Sequence, residues 1–169
     1  MSKRYKKKPK TPRPQAKAAP ATVQQHAPQP AGSAIRQTRA QRMARIALDC
    51  VKHVAAGKLA KDYKPRAMSF STMVLQSGLA QAVGFLAAKG AGSNDKDKAY
   101  KHYLEDVAKV CGHASGEALH DKAINTDLAA AYRLLTREVL DASSWLKRFS
   151  QTLLKDDDDK APKESSHVS

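Results

Sequence analysis

Hydrophobic positions divide this chain into helix-length blocks. From Ile35 to Gly57, the residues Met43, Ile46, Ala47, Cys50, Val51 and Val54 recur at steps of three and four, which places them on one helix face. From Asp95 to Ala114, Ala99, Tyr100, Tyr103, Leu104, Val107, Val110 and Cys111 form a second stripe. Lys98, Lys101, His102, Glu105 and Lys109 fall on the face opposite. A third and longer stripe, Leu128, Tyr132, Leu135, Val139, Ala142, Leu146, Phe149 and Leu153, predicts a helix from Thr126 to Leu154 with Trp145 flanking it. Ser115–Asn125 predicts a short helix or turn.

The remaining block, Ala67–Lys89, has no charge before its last residue. A membrane span needs about 20 apolar residues. Here Ser69, Ser71, Thr72, Gln76, Ser77 and Gln81 interrupt the run, and polar groups in lipid are costly. The block therefore predicts a helix buried on most sides, started by Ser69 or Ser71 and ended by Gly90. Leu75, Leu79, Ala82, Val83 and Leu86 would form its main face, with Met73, Val74 and Phe85 off it. Lys58–Arg66 reads as a basic loop that Pro65 closes, and Ala91–Lys96 as a turn. The fold expected is all-α: a compact bundle of five to six helices around this central buried one. Three segments follow: a basic Pro/Ala/Gln-rich tail at 1–34 expected to be disordered, a helical domain at 35–154, and a disordered acidic tail at 155–169.

The central block also carries a resemblance. Ser77, Gly78, Leu79, Gln81, Phe85 and Leu86 reproduce a pattern similar to the signature helix of one family. That family is the small subunit of the type III-B CRISPR RNA-silencing (Cmr) effector complex. Arg39-Ala-Gln-Arg-Met-Ala44 resembles its first helix, and Ala99-Tyr100 fits the start of the helix after the central one. Tyr132–Leu140 followed by Trp145-Leu-Lys-Arg-Phe149 is similar to its last. The likeness spans Thr38 to Leu154. Met1–Ala34 is longer than the tail such proteins usually show, so the resemblance is silent on it.

Charge changes the picture next. The 169 residues carry a formal net charge of +14. The first 34 contain eight Lys/Arg and no acid, and 35–155 contain 20 basic and 11 acidic side chains. That balance points to a polyanion, most simply nucleic acid. Arg39, Arg42 and Arg45 spiral around the first helix, because steps of three drift about 60° backwards. Arg133, Arg137 and Arg148 lie with Ser144 and Gln151 in a narrow stripe opposite the last helix's core face, and Lys147 adjoins it. These seven cations are the candidate RNA or subunit contacts, although the face opposite any core is polar. Leu140 falls inside the arginine stripe, should be exposed there, and is a candidate subunit contact.

Other chemistry is sparse. Cys50 and Cys111 fall on apolar faces, so buried reduced thiols are expected rather than a disulfide. The lysine-rich start has no apolar core of the signal-peptide kind. Cys111, His113 and His120 lack zinc-ligand spacing. His53 and His102 read as surface or edge histidines without an acid partner. There is no phosphate loop and no serine nucleophile motif. Neither a catalytic residue, a metal, nor a cofactor is expected. Lys155-Asp-Asp-Asp-Asp-Lys160 equals an enteropeptidase-type cleavage sequence and is set aside.

The resemblance implies a non-catalytic, cytoplasmic subunit. Its partners would be other Cmr subunits, especially the repeated backbone subunit, copies of itself, and guide and target RNA, with no membrane and no small-molecule substrate. Arginines would neutralise phosphates while base pairing reads sequence. Two alternatives stand beside it. One is a stand-alone basic helical nucleic-acid-binding protein. The other is a metal-dependent ribonuclease using His102, His113 or His120 with nearby acids.

Overall fold

Thr38 begins the first element. Its side chain accepts from the Gln41 amide at 3.2 Å, and the Gln41 side chain accepts from the Thr38 amide at 2.8 Å. This reciprocal capping box satisfies two amides that the first turn leaves unpaired. The computed structural model describes residues 37–154. They form α1 (Arg39–Ala55), α2 (Ala60–Ser77), α3 (Leu79–Lys89), α4 (Asp95–Cys111), α5 (Gly116–Asn125) and α6 (Ala129–Leu153). No strand occurs among the described residues, and no helix among them is long and apolar enough to cross a membrane. The all-α bundle is thus the architecture the periodicity predicts. The expected tails lie outside the described residues, as do Ile35 and Arg36.

The central block is built differently from its expectation. Gly78 sits at φ 84° and ψ 160°, a conformation that side-chain-bearing residues avoid. It splits Ala67–Lys89 into the end of α2 and all of α3. The α3 amide of Ala80 is met by the Tyr132 hydroxyl of α6, 3.1 Å away. The break resets the inward face. Leu79, Ala82, Val83 and Leu86 are buried as expected, but Leu75 belongs to α2 and is 72% exposed. The inward side of α2 is Tyr63, Ala67, Phe70 and Val74.

The start of α2 also differs. The segment expected as a basic loop is helical from Ala60, with Pro65 inside the helix. Proline removes an amide donor and crowds the preceding turn. Tyr63 anchors that turn regardless: its ring is fully buried, and its hydroxyl donates to Asp106 on α4 at 2.8 Å. Ser69 and Ser71, expected as caps, lie within α2. Ser69 donates back to the Pro65 carbonyl, and Ser71 shares a hydrogen bond with the buried Ser143 of α6 at 2.8 Å.

α4 packs against each of the other five helices and holds the centre of the bundle. Asn94 caps it by accepting from the Asp97 amide, and Gly112, in the left-handed region, ends it. Tyr103 is fully buried between Tyr63 and Phe70, edge to face with both at 5.3 and 5.4 Å between ring centroids. Gly90 lets α3 turn tightly into this packing, since a Cβ there would stand 3.0 Å from the Lys101 backbone.

α6 lies against α1, α2 and α4. Leu135, Val139, Ala142 and Leu146 are buried as the stripe predicts. Its ends depart from the prediction: Leu128, which precedes the helix, is 72% exposed, and Leu153 is 37% exposed while the next residue, Leu154, turns inward and is buried.

Candidate nucleic-acid interface

On α1, Arg39, Arg42 and Arg45 are all exposed. Arg39 reaches across to α6, with its guanidinium 3.6 Å from Glu138 and 3.7 Å from Asp141. Such half-exposed pairs stabilise by about 0–1 kcal/mol, so this one fixes the relation of two helices more than it stabilises them. Arg42 and Arg45 have no ion pair among the described residues.

On α6, Arg133 and Arg137 are exposed one turn apart and share a face. Arg148 is exposed further along, its guanidinium 5.4 Å from the centre of the Trp145 ring. Trp145 in turn stacks with Phe149 at 5.9 Å. Lys147 is half-buried. A shallow groove of about 370 Å³ runs between Arg39, Met43, Trp145 and Arg148. The structure therefore brings Arg39 and Arg148 to one groove and leaves Arg133 and Arg137 on the earlier part of α6.

Leu140 is corrected: it is partly buried and packed against the core rather than exposed among the arginines. The large apolar side chains that stand out most among the described residues are Leu75, Leu128, Ile124 and Leu134, the last 57% exposed beside Arg133. Leu134 lies outside the apolar stripe of α6, and that offset was the available signal.

The histidines and thiols show where chemistry could reside. His102 has an acid partner after all, with Nδ1 3.3 Å from Asp106 Oδ2. Contact with Asp106 holds its pKa above the usual 6.5, against the opposing effect of burial. Asp106 itself is 6% exposed, a buried carboxylate on the inward side of α4. Burial lowers the pKa of His113, and Lys122 adds to the effect. Burial pushes both thiols up to about 12, with Asp106 contributing at Cys50 and Glu138 at Cys111. Both therefore stay protonated at neutral pH and are poor nucleophiles.

His102 and His113 line one cleft, whereas His120 faces α3, its Nε2 3.3 Å from where a Gly84 Cβ would stand. The three histidines of the ribonuclease alternative thus do not converge. No group of three His, Cys, Asp or Glu side chains among the described residues could hold a metal ion.

The comparisons with known proteins coincide with these boundaries. Residues 39–153, the span from the first residue of α1 to the last of α6, match the family described as "CRISPR-associated protein (Cas_Cmr5)". Over 120 residues the chain is 34% identical to the "CRISPR system Cmr subunit Cmr5" of Thermus thermophilus, covering 71% of this chain and 99% of that protein. It also resembles the X-ray crystal structure of a CRISPR-associated Cmr5 family protein from Thermus thermophilus. There the TM-score is 0.64 at 33% identity, covering 71% of this chain and 100% of the other.

Proposed function

The chain belongs to the Cas_Cmr5 family of CRISPR-associated proteins, and from that premise we propose that it is a non-catalytic structural subunit of a type III-B Cmr complex, packing along the backbone subunits and contacting guide and target RNA through its basic helix faces. The observation that carries the RNA contact is the state of four arginines. Arg42, Arg45, Arg133 and Arg137 stand exposed on α1 and α6 without an ion pair among the described residues. Guanidinium groups left unneutralised by their own fold are available to phosphate, where each contact releases condensed counterions. Such contacts position a strand without reading its bases, which suits a complex whose sequence recognition is delegated to a guide. Arg39 serves differently, because Glu138 and Asp141 already hold it. The basic segment 1–34 adds a phosphate-attracting arm, the repeated backbone subunit and further copies of this chain are its protein partners, and the cytoplasm is its place of work.

The test is charge reversal inside the assembled complex. Arg42→Glu/Arg45→Glu and Arg133→Glu/Arg137→Glu are each co-expressed with the other subunits, and the purified complexes are titrated with target RNA at several salt concentrations. Retained assembly is expected, with weaker RNA binding and a salt slope reduced by about one per lost phosphate contact. Loss of assembly for a pair would make that face a subunit contact. Unchanged assembly and unchanged RNA binding for both pairs would overturn the reading.

A further inference from the structure

Away from the arginine faces, a cleft of about 850 Å³ opens between α1 and α4. Its volume lies within the roughly 300–1,000 Å³ of small-molecule sites. The α4 wall is a single helix face, on which Lys98, His102, Glu105 and Lys109 follow at steps of four, three and four. Asp49, Cys50 and His53 supply the α1 wall.

Two features of this cleft are specific. The first is a pair of flat rings: His53 and His102 lie within 22° of parallel, their centroids 6.2 Å apart. His53 is exposed and His102 half-buried. His102 is backed on its inner side, where Asp106 stands 3.3 Å from its Nδ1 and the Tyr63 ring abuts it edge-on at 6.0 Å. The second is cationic: Lys98 and Lys101 line the cleft on either side of the helical turn that leads into His102. Lys101 has no ion pair among the described residues. The pair of Lys98 with Asp95, at 3.4 Å and well exposed, is weak enough for a phosphate to displace.

We propose that this cleft holds one unpaired nucleotide, its base against the His53 and His102 rings and its phosphate on Lys98 and Lys101. A planar base can extend this stack of near-parallel rings on its exposed His53 side, because every base offers a π face. Lys98 stands one helical turn, about 6 Å of rise, before His102, so phosphate and base are held at neighbouring positions along α4. The floor of the cleft limits the ligand. The Glu105 carboxylate accepts from the Gly116 amide at 2.8 Å and that of Asp106 accepts from Tyr63, so both are committed acceptors that repel a polyphosphate. Asp49, exposed on the opposite wall, offers a carboxylate to an exocyclic base amine. A single phosphate and an amine-bearing base are therefore favoured. None of the cleft residues belongs to the arginine set, so this inference and the proposed RNA contact can fail separately.

The test uses the full chain and adenosine 5′-monophosphate, followed by the imidazole signals of His53 and His102 in NMR. Saturable shifts of both are expected. His53→Ala and Lys98→Glu/Lys101→Glu should each weaken binding roughly tenfold or more, while Arg133→Glu leaves it unchanged. These substitutions replace exposed side chains, and circular dichroism verifies that the fold persists. Competition by short single-stranded oligoadenylate would assign the site to an RNA strand, and its failure to compete would assign it to the free nucleotide. Equal binding of ribose 5-phosphate, or no saturable shift with either adenosine 5′-monophosphate or oligoadenylate, would overturn the proposal.

Discussion

A single residue decides the geometry of the middle of this chain. Gly78 adopts φ 84° and ψ 160°, and a Cβ there would meet nothing closer than the Tyr132 hydroxyl at 3.8 Å. Space is therefore available and the obstacle is conformational. Gly78→Ala is expected to lower stability by about 1–3 kcal/mol, read from the urea unfolding midpoint. Asp106 is the second decisive residue. Because it raises the pKa of His102 above 6.5 in the folded state, the stabilisation from charged His102 is fully present below 6.5. It is lost as pH rises through the folded-state titration. His113, whose pKa is lowered, acts in the opposite sense and costs stability as pH falls below 6.5. Asp106→Asn keeps an acceptor for Tyr63 but removes the main cause of the His102 shift. The His102 titration, followed by NMR, should then move downward while that of His113 stays in place.

Elements with two distinct faces were legible, and those without were not. α1, α4 and α6 each pair an apolar stripe with a charged one. Their exact starts are less legible: the periodicity carries the first helix back to Ile35, whereas the Thr38 capping box begins α1 at Arg39, and Asn94 caps α4. The uncharged run from Ala67 was not legible in the same way. Hydropathy records burial but not the sign of a backbone angle, so Ser77-Gly78 read as part of one helix. A single helix carries the register of α3 back onto Leu75, which the turn at Gly78 instead leaves exposed on α2. Local chemistry argues for a boundary before Pro65, and the tertiary burial of Tyr63 with its bond to Asp106 overrides it. At the candidate interface, the exposure of Arg42, Arg45, Arg133 and Arg137 followed from periodicity. The reach of Arg39 to Glu138 did not, since it requires knowing that α1 and α6 are neighbours. The corrected register has a measurable consequence. Leu79→Ala should cost about 2–5 kcal/mol, whereas Leu75→Ala should change stability by no more than about 0.5 kcal/mol. Urea denaturation of the two variants compares them directly.

For the whole molecule, every buried core side chain among the described residues lies between Met43 and Leu154, and the family match begins at residue 39. Removing Met1–Ala34 should therefore leave the unfolding free energy of the helical domain within about 0.5 kcal/mol of the full chain. The same deletion takes away eight basic side chains, so its RNA affinity should fall most at low salt. Thermal melts and salt-dependent titrations of the two chains separate these effects. The bundle also has a property that concerns the experimenter more than the cell. The chain contains two cysteines, Cys50 on α1 and Cys111 at the end of α4, and both thiols are pushed up to about 12. At neutral pH both are expected to alkylate slowly, Cys50 from full burial and Cys111 from partial burial, which a thiol-labelling time course of the native chain checks. A cysteine introduced at an exposed position such as Arg137 would then carry a fluorophore or spin label at one known address, against a slowly reacting native background.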